Sequence, residues 1–208
     1  MEEGGKLVEI EYYYSVSSVF AYFGNARFSA LATRHKARII HKPIFHGTVV
    51  PATGGKRFNN LSPERKSYFF REVNRWSEFL KIPVIHGDPK YHYGDRDLPS
   101  GMIIAAQRRC LDVNSLSFKI GEALWRDDLN ISDPNVLSEC ATSIGLEAGT
   151  LLQEAMLTEV QEEYKNNSVE CVAKGVFGSP TYAVGDEFFW GQDRLDFLER
   201  KIMTYTMS

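Results

Sequence analysis

The sequence has no Cys-x-x-Cys pair, no large excess of one charge, no long apolar run and no internal repeat. Its three cysteines, Cys110, Cys140 and Cys171, lie far apart and match neither a dithiol redox motif nor a zinc-ligand spacing, so they read as buried thiols. The five histidines, at 35, 41, 46, 86 and 92, form no metal-binding cluster at a recognisable spacing, and no metal is expected. A formal net charge of -3 and a pI near 6.0 give no general pull toward nucleic acid or an anionic membrane, which leaves a small molecule as the default partner. No stretch approaches the roughly 18 apolar residues of a membrane helix. Residues 1–6 are polar, without the basic region, apolar stretch and cleavage site of a secretory signal, and Tyr205-Thr206-Met207-Ser208 matches no retention or peroxisomal address. The expectation is a cytoplasmic chain with neither a membrane nor a nucleic-acid partner.

What is present is enough apolar sequence for a sizeable core, 43% of 208 residues, in one domain or two. Residues 7–14 are a β-branched and aromatic run that predicts a buried strand, and serines at 15, 17 and 18 break it before a helix. That helix carries Phe20, Tyr22, Phe23, Phe28 and Leu31 and stops near Arg34, ahead of a second strand over 37–44. A β-α-β unit of this kind is parallel and right-handed. Residues 46–60 read as a loop rich in Gly, Pro and Thr, and Ser62-Pro63-Glu64 as the capped start of a helix toward Leu80. A polar irregular stretch over 86–99 follows. Residues 100–174 are helical in pattern, with breaks at Asn114, 130–134, Gly145 and Asn166. Strands over 181–184 and 187–190, joined by Gly185-Asp186, and a helix over 193–203 make the end β-β-α. The fold class is therefore α/β: a thioredoxin-like domain, β-α-β then β-β-α, interrupted by an inserted all-helical domain. Its halves are residues 1–46 and 166–208, and the insertion is 47–165.

Three places carry candidate chemistry. Ser18 stands between the first strand and the first helix, where a hydroxyl either caps the helix or assists an anion at its partly positive N-terminus. Ser179-Pro180 follows Gly178 and precedes a strand, which suits either a cis turn or an ordinary trans-proline loop. Gln192 and Asp193 are expected to open the last helix, as an acidic cap or as receptors for a charged ligand end. The aromatic series on the first helix reads as core packing, with Tyr22 the member that would face a pocket.

Gly175-Val176-Phe177-Gly178-Ser179-Pro180-Thr181-Tyr182, followed by Phe189-Trp190-Gly191-Gln192-Asp193-Arg194-Leu195-Asp196-Phe197, resembles the C-terminal signature of the 2-hydroxychromene-2-carboxylate isomerases, which group with the kappa-class glutathione transferases. Residues 12–23 resemble the family's aromatic strand and its Asp-x-x-Ser-Pro-aromatic turn, and Ala123-Leu124-Trp125, the stretch from Ile131 to Pro134 and Leu137 also fall where it has similar residues. Ser15 stands where the family usually has Asp, and Val19 where it usually has Pro. Arg65 aligns with a usual glutathione-contacting Lys, with Lys66 beside it.

The resemblance, which spans essentially the whole chain, implies glutathione as cofactor, its sulfur near Ser18 and its remainder held by Ser179, Pro180, Gln192, Asp193 and Arg65. It implies a cis Ser179-Pro180 bond, a homodimer, and a role in aromatic catabolism. The implied reaction interconverts 2-hydroxychromene-2-carboxylate and trans-o-hydroxybenzylidenepyruvate without consuming glutathione. A kappa-like transferase or peroxidase acting on another electrophilic substrate stays open beside it, as does a non-catalytic glutathione- or peptide-binding protein.

Overall fold

In the computed structural model, which describes residues 7–206, strand β1 (Glu9–Tyr14) leads into helix α1 (Val19–Arg34) and strand β2 (Arg38–Pro43). Residues 1–6 and Met207-Ser208, on which part of the targeting argument rested, lie outside the described residues. Then come α2 (His46–Ala52), a 3-10 turn (Phe58–Asn60), α3 (Pro63–Leu80), α4 (Asp97–Arg108), α5 (Val113–Trp125), α6 (Pro134–Thr142), α7 (Ala148–Ala155) and α8 (Thr158–Ala173). The chain closes with β3 (Thr181–Val184), β4 (Glu187–Trp190) and α9 (Leu195–Thr206). The four strands run in the order β2-β1-β3-β4, with β1 parallel to β2 and β3 antiparallel to both β1 and β4. This is the expected thioredoxin-like fold, with the helical segment inserted between its β-α-β and β-β-α halves. Among the described residues no helix is long and apolar enough to cross a membrane.

Strand β1 is buried on both faces over residues 12–14, where its sequence is continuously aromatic, while Glu9 and Glu11 stay at least partly exposed. Ile10, Tyr12 and Tyr14 alternate onto the larger core, while Tyr13 faces a second cluster with Ile44, Val49, Cys171, Val176 and Ala183. On the first face the Tyr12 ring lies between Tyr14 (centroids 4.2 Å apart) and Tyr182 (5.2 Å), and Phe28 of α1 closes over Tyr12 and Tyr182. Leu195, Leu198 and Ile202 of α9 complete that layer. Burying each such side chain stabilises the fold by about 1.5–3 kcal/mol. Around Tyr13, Lys42 bridges Glu11 (2.9 Å) and Glu170 (2.7 Å), Lys174 pairs with Glu170 (2.9 Å), and the Tyr13 hydroxyl donates to Glu170 (2.8 Å). These ion pairs join β1 and β2 to α8.

Four local expectations are corrected. Residues 46–52 are helical, because burying Val49 beneath the sheet outweighs the weak helix preference of the segment's Gly, Pro and Thr. Helix α4 starts at Asp97 rather than Ser100, with Pro99 in its first turn where no intrahelical donor is needed. Helix α8 runs unbroken through Asn166, since Val160, Tyr164, Asn167, Ser168 and Cys171 form one buried stripe. Cys110 is exposed, in a left-handed conformation (φ 54°) that ends α4, whereas Cys140 and Cys171 are buried as expected. Burial pushes those two thiols up, to about 11 and about 12.

Candidate active site

Residues 15–18 carry the chain from the end of β1 to the start of α1. Ser18 is the N-cap: its backbone is extended (φ -77°, ψ 118°) and its Oγ accepts from the Ala21 amide at 3.3 Å. The first turn of α1 contains no acidic side chain, so nothing on the helix offsets its N-terminal partial positive charge. Ser15 and Ser17 are buried (3% and 8% exposed) with their hydroxyls 3.1 Å apart, while Ser18 is half-buried. Of the three serines, Ser18 is the one left partly exposed, at the helix start. The Ser179-Pro180 peptide bond is cis, as expected. Its loop faces the serine turn: Ser15 N donates to Ser179 Oγ (3.0 Å), and Ser18 Oγ donates to the Ser179 carbonyl (3.4 Å).

The 191–193 turn joins the same place through Gly191, whose amide donates to the Pro180 carbonyl at 2.9 Å. Gly191 has φ +110°, a conformation side chains rarely adopt. Gln192 and Asp193 do not open α9, contrary to expectation; the turn delays the helix to Leu195. The Gln192 side chain points inward, 2% exposed, where the Arg27 guanidinium of α1 donates both to its Oε1 and to its backbone carbonyl (3.2 Å). Asp193 stays outward, with one carboxylate oxygen 3.5 Å from Arg194. Arg65 is exposed in the first turn of α3, and among the described residues no hydrogen bond joins it to Ser18, Ser179 or Asp193. The structure thus brings Ser18, Ser179, Pro180 and the 191–193 turn together and leaves Arg65 at the margin.

Beside the serine turn runs a chain of aromatic contacts that sequence reasoning did not assemble. The buried Trp125 indole at the end of α5 donates to the Ser17 carbonyl at 3.0 Å. Its ring meets His92 edge-on at 4.9 Å, and His92 lies 6.4 Å from Phe58. Phe58 meets Phe69 at 4.9 Å, and Phe69 meets Phe20 at 5.6 Å, two residues past Ser18. Phe69 is one helical turn beyond Arg65 on α3, which puts both on one helix face. Tyr22, expected to face a pocket, is instead core: it is 3% exposed and donates to the Pro83 carbonyl. Two surface clefts, of about 690 and 320 Å³, flank α1 farther along and include neither Ser18 nor Ser179. Among the described residues no group of three or more His, Cys, Asp or Glu side chains could hold a metal ion.

Ser18, at the N-cap of the first helix, faces a cis-proline loop, and residues 9–203 match the family model of the DSBA-like thioredoxin domain. The chain belongs to the DSBA-like thioredoxin family. This DSBA-like protein is 26% identical over 205 residues to a 2-hydroxychromene-2-carboxylate isomerase of Sphingobium xenophagum, covering 93% of this chain and 97% of that one. Its fold is similar to the solved structure of a 2-hydroxychromene-2-carboxylate isomerase, with a TM-score of 0.74 at 23% identity over 94% of this chain and 95% of the other. It also resembles the cytosolic disulfide reductase DsbM from Pseudomonas aeruginosa with GSH, with a TM-score of 0.64 at 15% identity over 96% of each chain. The resemblance read from the sequence motifs therefore extends over nearly the whole DSBA-like chain.

Proposed function

We propose that this protein is a glutathione-dependent isomerase interconverting 2-hydroxychromene-2-carboxylate and trans-o-hydroxybenzylidenepyruvate. The observation that carries this reading is the half-buried Ser18 hydroxyl, placed at an uncompensated helix N-terminus and against the Ser179-Pro180 loop, in a chain similar to isomerases of that name. The residues present suit glutathione. Ser18 and the first amides of α1 favour a sulfur anion; the backbone of the cis-proline loop suits a peptide; the exposed Asp193 carboxylate suits an ammonium. Gln192 contributes through its backbone, because Arg27 occupies its side chain. Arg65 supplies a cation for a carboxylate from the face of α3. A similar fold, DsbM, is known with GSH.

Glutathione, when bound, supplies a thiol nucleophile whose addition to the conjugated double bond turns it into a single bond free to rotate before elimination restores it. The protein's own part is to hold charge and shape. A free thiol has a pKa near 8.5, so work near neutrality needs a donor that prefers the anion, and Ser18 Oγ–H is that donor. Phe20, Phe58 and Phe69, which are only partly buried, offer apolar ring faces for the aromatic part of the substrate.

The test is incubation of purified protein with 2-hydroxychromene-2-carboxylate, with and without glutathione, followed by absorbance and mass. The expected product has the substrate's mass and forms only when glutathione is present, which is not consumed. A product heavier by one glutathione would mark a transferase, and glutathione binding without turnover a binding protein.

A further inference from the structure

The segment between α3 and α4 holds a hydrogen-bonded acid–base pair on the wall of the aromatic chain. His92 Nδ1 lies 2.6 Å from Asp88 Oδ1, and the Tyr93 hydroxyl donates to Asp88 Oδ2 at 2.7 Å, so both carboxylate oxygens are engaged. Burial alone would raise the Asp88 pKa, but the bonds from His92 and Tyr93 outweigh it and hold the group below its usual value. Ionised Asp88 can only accept, which places a proton on His92 Nδ1, so Nε2 is the nitrogen that carries the lone pair whenever the ring is neutral. The ring is 15% exposed, and among the described residues Nε2 has no hydrogen-bond partner. The segment is braced from below: buried Arg96 donates to the carbonyls of Tyr91 and His92, and Lys90 N donates to Asp128. His46 of α2 is the other titratable group facing His92. Burial, with a smaller contribution from His92, pulls its pKa down to about 4, so it stays neutral. Its Nε2 is sealed from solvent without a partner.

Trp125 touches both His92 and the carbonyl of Ser17, so this imidazole stands one ring away from the serine turn. We infer that His92, positioned by Asp88, is a catalytic acid–base residue that opens and closes the hemiketal ring of the substrate. The inference rests on the isomerase reading above. His92 Nε2 takes the proton of the C2 hydroxyl as the C2–O bond of the ring breaks. The electron pair of that bond goes to the phenolic oxygen, and the former hydroxyl oxygen becomes the C2 carbonyl. The imidazolium then returns the same proton to the phenolate, giving the open cis isomer with no net change in atoms or charge. Rotation about the neighbouring double bond requires this open form.

The experiment compares wild type, His92→Gln, His92→Ala and Asp88→Asn with 2-hydroxychromene-2-carboxylate and saturating glutathione, alongside glutathione calorimetry and circular dichroism. General acid–base catalysis contributes about 10²–10⁴-fold, so kcat should fall about a hundredfold in His92→Gln, with glutathione affinity unchanged and the acid limb of the kcat–pH profile lost. Asp88→Asn should lower kcat at least about tenfold, and added imidazole should restore part of the rate of His92→Ala. A packing role would show none of the pH change or rescue. Turnover by wild type with His92→Gln within twofold of it overturns the acid–base role and leaves the isomerase reading standing, whereas no turnover by wild type overturns both. Loss in both His92 variants without imidazole rescue, with Asp88→Asn at wild-type rate, reduces His92 to a wall of the site and overturns the inference.

Discussion

Replacing Ser18 by Ala separates the helix cap that its hydroxyl provides from the chemical role proposed for it. As an N-cap it accepts from Ala21 N at 3.3 Å, and it donates to the Ser179 carbonyl at 3.4 Å. Both contacts are long. Loss of a serine cap costs about 0.5–2 kcal/mol, and bonds of this length place the expected loss near 1 kcal/mol. In a chain of 208 residues that lowers the melting temperature by about 2–4 °C. The chemical role should show a larger effect. A hydrogen bond to an ionised group is worth about 1.5–3 kcal/mol, which at 1.36 kcal/mol per pKa unit raises the bound thiol by about one to two units. Turnover near neutral pH should then fall about 10–100-fold and recover partly at high pH, while glutathione still binds through Ser179, the 191–193 turn and Asp193. The assay titrates thiolate absorbance of bound glutathione in wild type, Ser18→Ala and Ser17→Ala, with isomerase rates and thermal melts in parallel. An unchanged titration with full activity in Ser18→Ala would reduce Ser18 to a helix cap. A selective defect in Ser17→Ala would move the reactive hydroxyl one residue earlier.

Two further expectations concern stability. Gly101 of α4 meets the Ala155 carbonyl at the end of α7 so closely that an added Cβ would overlap backbone, with the Gln161 amide 2.7 Å away. Gly101→Ala should therefore cost at least the roughly 1–3 kcal/mol of an overpacked core, lowering the urea midpoint with an unchanged slope; a loss under about 0.5 kcal/mol refutes the packing argument. Burial alone would raise the Glu170 pKa from 4.5, but the bonds from Lys42, Lys174 and Tyr13 bring it down to about 2. A depressed acid stabilises the fold above its unfolded pKa, and this contribution is lost as pH falls from about 4.5 through about 2. Glu11 shifts in the same direction. Glu170→Gln should flatten the decline in urea midpoint between pH 5 and pH 3, and an equally steep decline in that variant would remove Glu170 as its source.

The sheet and its flanking turns were legible because their signals are local. A β-branched and aromatic segment ended by serines marks β1 and the start of α1, and the strands around Gly185 mark the hairpin. What escaped depends on partners distant in sequence. Nothing near Gln192 announces that Arg27 turns its amide inward. The helix at 46–52 exists because Val49 finds a cluster assembled from β1, α8 and β3. The pairing of His92 with Asp88 acquires meaning only when the fold sets Trp125 between it and Ser17. The family resemblance grouped Ser18, Ser179 and Pro180, which the fold sets side by side, whereas spacing alone favoured a plain helix cap and an ordinary trans-proline loop.

The bond from the Trp125 indole to the Ser17 carbonyl limits how this protein can be recombined. The residue that steadies the serine turn is supplied by the same helical segment that supplies Phe58, Phe69 and His92. A chimera that grafts a foreign helical segment onto this sheet exchanges the tether and the ring-lined wall in a single event. Without an indole or another donor at that position, a buried carbonyl loses its partner at about 1–3 kcal/mol, enough to re-aim the turn that carries Ser18. Under the proposed function, reactivity at Ser18 and preference for the shape of the substrate would be inherited together, and a graft that means to change the second would have to rebuild the donor that secures the first.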